Sequence, residues 1–92
     1  MEVTATSTFK RRFKKATNKV QVAIEAAVDE IATNPLQGEI KKGDLSGFRV
    51  FKFKYGYNQL LIAYIYRVPK QIELIDFGSH ENFYRDLKRR LK

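Results

Sequence analysis

The chain contains no cysteine and a single histidine in 92 residues. The first absence excludes disulfides, thiolate metal sites and cysteine nucleophiles. The second leaves no histidine cluster, so a transition-metal site is not expected; nor does any motif call for another cofactor. Long apolar runs are also missing. The longest, Leu60 to Tyr66, falls far short of the roughly 20 residues a membrane-spanning helix needs. Residues 1–9 lack the apolar core of a signal peptide, so the expectation is a cytoplasmic protein with no membrane partner. No repeat, low-complexity tract or linker divides the sequence, which reads as one domain over residues 1–92 with a single modest core. Acidic residues are scarce: 10 Asp and Glu stand against 18 Lys and Arg, a formal charge of +8. That imbalance favours polyanionic partners such as DNA, RNA, a ribosome or an acidic protein segment.

With 43% hydrophobic and 30% charged residues, the composition is that of a globular chain rather than a disordered one. Seven Phe and five Tyr supply the buried area that a small core needs. Val3 to Thr8 is rich in Thr and Val and reads as a short first strand. Ser7 or Thr8 then caps a helix in which Phe9 and Phe13 are i,i+4 neighbours and Lys10, Arg11, Arg12, Lys14 and Lys15 cover the other sides. Asn18 opens a second helix, with Gln21 as its capping-box partner. Along it Val20, Ile24, Ala27, Val28 and Ile31 share one stripe, and Asn34-Pro35 ends it.

Gly38, Gly43 and Gly47 punctuate a connection, after which the period becomes two. Phe48 to Tyr55 reads as a strand, with Phe51, Phe53 and Tyr55 on one side and Val50, Lys52 and Lys54 on the other. Gln59 to Tyr66 is apolar at nearly every position, as in a strand buried on both faces. Gln71 to Phe77 supplies a third strand of the meander. A closing helix is expected from near Ser79, packed through Phe83, Leu87 and Leu91 at i, i+4, i+8. The fold class is therefore α+β: a short N-terminal strand, two helices, a three-stranded antiparallel meander and a C-terminal helix.

The ending Gly78-Ser79-His80-Glu81-Asn82-Phe83-Tyr84 carries the chemistry. His80 follows a helix N-cap residue and precedes Tyr84 by four, so both project from one helical face. A proton-transfer side chain beside a phenol, in a chain this basic, points to chemistry on a phosphodiester. Asp76, near a strand end, is expected to meet solvent or a lysine. The run Arg85, Lys88, Arg89, Arg90 and Lys92 reads as a solvated face that attracts RNA phosphates.

The element order resembles the RelE/ParE superfamily of type II toxin–antitoxin toxins. So do Thr8-Phe9-Lys10-Arg11, the middle stretch from Lys42 to Lys54 and the ending from Gly78 to Tyr84. The resemblance spans essentially the whole chain. It implies two N-terminal helices on one side of a twisted antiparallel sheet and a cognate antitoxin, expected to wrap the toxin with an acidic segment. Operator DNA would be met only through the toxin–antitoxin complex.

For activity, the resemblance implies a metal-independent endoribonuclease that cuts mRNA on the ribosome by attack of a 2′-hydroxyl on the adjacent phosphate. Lys52, Lys54, His80 and Tyr84 match the family's catalytic positions. Arg49 and Arg85, with Lys88 and Arg89, are the expected phosphate ligands. The match departs at the start of the central strand, where many RelE-like toxins carry an arginine and this chain reads Asn58-Gln59-Leu60. Either Arg49, Arg85 or the lysines take over that clamp, or catalysis is weak. Two other readings stay open: a ParE-like inhibitor of DNA gyrase, and a non-catalytic basic module that binds nucleic acid or an antitoxin.

Overall fold

The change of period near residue 48 marks a change of architecture, from helices to a sheet meander. The computed structural model describes residues 1–41 and 47–79. In chain order these form β1 (Glu2–Ala5), α1 (Ser7–Lys15), α2 (Asn18–Thr33), β2 (Glu39–Ile40), β3 (Arg49–Tyr55), β4 (Asn58–Arg67) and β5 (Gln71–Ser79).

Of the hydroxyls near the start of α1, Thr6 is the cap rather than Ser7 or Thr8, and β1 ends accordingly at Ala5. Thr6 has extended backbone (φ −68°, ψ 162°), and its Oγ1 accepts the Phe9 N–H at 3.1 Å while donating to the Ile75 carbonyl at 2.6 Å. One side chain thus caps the helix and ties it to β5. Thr6→Ala is expected to cost about 2 kcal/mol, because it removes the cap and leaves a carbonyl without its donor. Chemical denaturation of the two proteins measures it.

Thr17, not Asn18, caps α2, accepting the Val20 N–H at 3.3 Å. Gln21 does not close a capping box. Its Nε2 reaches back 2.7 Å to the Phe13 carbonyl, which also accepts the Ala16 N–H at 3.2 Å, so the end of α1 is tied to α2. The expected stripe is the buried one: Ile24, Ala27 and Ile31 are buried, with Val20 and Val28 packed at its margin.

Among the described residues the sheet has five strands in the order β1-β5-β4-β3-β2. The meander is antiparallel as expected, while β1 runs parallel to β5, so the sheet is mixed. The two-residue strand β2 lies inside what reads in sequence as a plain connection; two residues carry no period to detect. A two-residue hairpin joins β3 to β4, with Gly56 at φ 61°, a conformation that favours glycine there.

The helices pack on one sheet face through Phe9, Ile24, Ala27, Ile31, Ile62, Tyr64, Ile72, Leu74 and Phe77, with Phe51 and Phe53 beside them. Phe9 meets Phe77 edge-on, centroids 5.1 Å apart. On the other face Phe48, Val50, Leu61 and Ala63 form a second cluster. Strand β4 is buried on both faces because its residues feed the two clusters alternately.

The alternation of β5 is reset at Ile75. Ala63 pairs with Asp76 and Tyr64 with Leu74, which leaves Ile75 as the extra residue of a bulge. The bulge lets Phe77 join Ile72 and Leu74 under the helices. Ser79 remains in the strand, paired with Leu60, so no helix opens at that residue. The closing helix expected beyond it lies outside the described residues. Among the described residues, no helix is long and apolar enough to cross a membrane.

Candidate phosphate-binding face of the sheet

Because Phe51 and Phe53 pack under α2, strand alternation turns Lys52 and Lys54 to the opposite face, with Val50. Lys52 is paired with Leu61 and Lys54 with Gln59, and Leu61 is paired in turn with Gly78. The end of β5 is level with the two lysines: Ser79 stands in the row of Leu60 and Phe53, between the rows of Lys52 and Lys54. Two strand spacings, roughly 10 Å, separate β3 from β5. The next residue in the chain is His80. It lies outside the described residues, as do Tyr84, Arg85, Lys88 and Arg89.

Two further charged residues share the lysine face and were not foreseen from sequence. Glu39 is paired with Val50, so it projects on the same side. Its Oε1 is 3.2 Å from Lys41 Nζ and its Oε2 is 4.0 Å from Lys52 Nζ. Lys41 extends the pairing by donating its backbone N–H to the Phe48 carbonyl at 3.0 Å. Lys54 makes no ion pair with any described residue and is exposed. The only sequence signal for this cluster was the i,i+2 spacing of Glu39 and Lys41, which means nothing until β2 is known to be a strand.

Arg49 is not brought together with the lysines. It has the parity of Phe51 and Phe53, and its Nη1 donates to the carbonyls of Gly38 at 2.9 Å and Leu36 at 3.2 Å. Its guanidinium therefore braces the loop that delivers β2. Tyr64 holds the same loop from the core, its hydroxyl donating to the Pro35 carbonyl at 2.6 Å and accepting the Gly38 N–H at 3.0 Å. Burial pushes the Tyr64 phenol above its ordinary value, against the opposing pull of the Gly38 N–H and the Arg49 charge.

The sequence leads one to expect Asp76 to meet solvent or a lysine, yet it is 1% exposed and its cation is an arginine. The bulge places it opposite Ala63, its Oδ1 accepts the Phe77 N–H at 2.8 Å, and Arg12 Nε approaches that oxygen to 3.4 Å. A buried carboxylate needs such partners. Here they join α1 to β5.

Residues 3–88 match the family model described as the ParE-like toxin of type II bacterial toxin–antitoxin systems. The chain belongs to that family. Two solved structures share the fold of this ParE-like toxin. One is the intact E. coli RelBE toxin–antitoxin complex, with a TM-score of 0.68 at 15% identity over 87% of this chain and 96% of the other. The other is the isolated E. coli RelE toxin, with a TM-score of 0.66 at 15% identity over 97% of each chain. No curated protein matches the sequence significantly. The α+β arrangement of two helices on a five-stranded mixed sheet is thus the RelE/ParE toxin fold.

Proposed function

We propose that this toxin is a ribosome-dependent endoribonuclease that cleaves mRNA without a metal ion. One observation carries the reading: Lys52 and Lys54 share a sheet face, level with the strand end that leads into His80. In the reaction the 2′-oxygen bonds to the adjacent phosphorus and the bond from phosphorus to the 5′-oxygen breaks. The products are a 2′,3′-cyclic phosphate and a 5′-hydroxyl. A base removes the 2′-proton, an acid protonates the departing 5′-oxygen, and cations stabilise the charge of the phosphorane. Lys52 and Lys54 supply the cations. His80, whose ordinary pKa is near neutrality, carries one proton, and one of the two lysines carries the other. Tyr84 stacks on a base or contacts the phosphate, while Arg85, Lys88 and Arg89 bind flanking phosphates.

The partners of this reading are mRNA, the ribosome and a cognate antitoxin whose acidic segment meets the basic toxin in the cytoplasm. Operator DNA is bound only by the toxin–antitoxin complex. The solved complex of the RelE toxin with its antitoxin supports the antitoxin. A second reading, inhibition of DNA gyrase, draws its support from the ParE-like description of the family model.

Cell-free translation with purified toxin separates the two, with the mRNA mapped by primer extension. Cuts inside codons are expected only when ribosomes are present, and they should fade with His80→Ala and Tyr84→Phe. Naked RNA in EDTA should stay whole. Intact mRNA in the presence of toxin that still arrests growth would end the ribonuclease reading and direct the work to gyrase supercoiling.

A further inference from the structure

Glu39 places one carboxylate between two ammonium groups on the face assigned to RNA, with oxygens 3.2 Å from Lys41 Nζ and 4.0 Å from Lys52 Nζ. The arrangement is imposed by the fold. Pairing of β2 with β3 sets Glu39 beside Val50 and diagonal to Lys52, and Tyr64 and Arg49 fasten the preceding loop from the opposite face. Exposure differs within the cluster: the Glu39 side chain is 62% exposed, against 20% for Lys41 and 36% for Lys52. The carboxylate is the member able to swing into water, while the lysines stay close to the sheet.

A phosphodiester, like a carboxylate, offers two anionic oxygens on one atom and can bridge two ammonium groups in the same way. We propose that Glu39 is an internal stand-in for an RNA phosphate and that Lys41 is a further phosphate-binding residue, so that bound RNA displaces the Glu39 carboxylate from Lys52. The inference rests on the ribonuclease reading of this face. An incoming protein carboxylate would exchange like for like against a group already tethered at high effective concentration. A nucleic-acid backbone has a driving force that such a carboxylate lacks, because neutralising its phosphates releases condensed counterions. Glu39 also acts as a filter: a ligand must offer enough charge to displace it, which disfavours isolated anions.

The test is binding of a short, uncleavable 2′-O-methyl RNA by fluorescence anisotropy across a salt series, with an acidic peptide of equal charge as the comparison ligand. Glu39→Gln should tighten RNA binding about threefold to fivefold, the size of an exposed ion pair that no longer has to be broken. Glu25→Gln on α2 removes the same charge from the helical layer and should change affinity much less. Lys41→Gln should weaken RNA binding and reduce the salt slope by about 0.7, the loss of one phosphate contact on a single strand. Equal effects of Glu39→Gln and Glu25→Gln, an unchanged slope in Lys41→Gln, or a gain for the acidic peptide but not for RNA would each overturn the proposal. Lys52→Gln tells the two levels apart. If it weakens RNA binding while Glu39→Gln does nothing, only the role of Glu39 is lost. If it too leaves binding unchanged, the assignment of this face to RNA falls.

Discussion

A toxin carrying both Lys52→Ala and Lys54→Ala is expected to cleave ribosome-bound mRNA at least about a hundredfold more slowly than the wild type. Both ammonium groups project from β3 on the face turned from the helices, and neither side chain belongs to an apolar cluster. Their removal therefore acts on the charge presented to RNA rather than on packing. Stability should stay within about 1 kcal/mol of the wild type, as for exposed substitutions generally, so a lost rate cannot be assigned to unfolding. The single variants should differ. Lys52 is linked to Glu39, so Lys52→Ala also leaves that carboxylate facing incoming phosphates, whereas Lys54→Ala removes a cation and nothing else. Single-turnover cleavage on stalled ribosomes, with thermal unfolding alongside, measures both quantities. Undiminished cutting by the double variant would move the chemistry off this face altogether.

The second large effect is on stability. Gly38→Ala should cost about 3 kcal/mol or more, read from denaturant unfolding. A Cβ at residue 38 would meet the Tyr64 hydroxyl oxygen head-on and lie 2.8 Å from both Cε1 and Cζ of the ring. Tyr64 has no room to retreat: it is 0% exposed, embedded in the central strand among Ile62, Ile72 and Ile31. Moving it would also break its contacts with Pro35 and Gly38 and leave buried polar groups without partners. The loss should therefore exceed that of a simple glycine substitution in a loop. A variant as stable as the wild type would show that the loop can lift away from β4, and with it that β2 is not held in place as described.

What could be read in advance follows a physical pattern. The alternation Phe51-Lys52-Phe53-Lys54 is legible because a strand separates its faces at every residue and these faces carry opposite chemistry. The double burial of β4 is legible for the converse reason, since Leu60 to Tyr66 leaves no polar side. The α2 stripe of Ile24, Ala27 and Ile31 needed only the helical period. Other features depend on matches made in space. Four hydroxyl residues, Thr4, Thr6, Ser7 and Thr8, crowd the start of α1, and Thr6 is selected because its Oγ1 also reaches Ile75. The bulge at Ile75 is one residue of mismatch between β4 and β5, and nothing local announces it. Once it exists, Asp76 turns inward to Arg12 and Phe77 joins the helical core. The Glu39–Lys41–Lys52 cluster arises from the pairing of β2 with β3, so Lys41 gave no sign of its company. Half of the candidate catalytic set, His80 and Tyr84, rests on the sequence motif alone, since those residues lie outside the described structure.

The parallel pairing of β1 with β5 bears on how such a protein is made. Residues 2–5 find their partners at 71–74, and the adjoining tie from Thr6 to Ile75 spans 69 positions. Contacts this distant along the chain are slow to form, and during synthesis the first strand emerges well before its partner. The nascent chain must hold its first strand and helix waiting until residues 71–75 have emerged. The sheet thus stays incomplete for as long as β5 remains inside the ribosome.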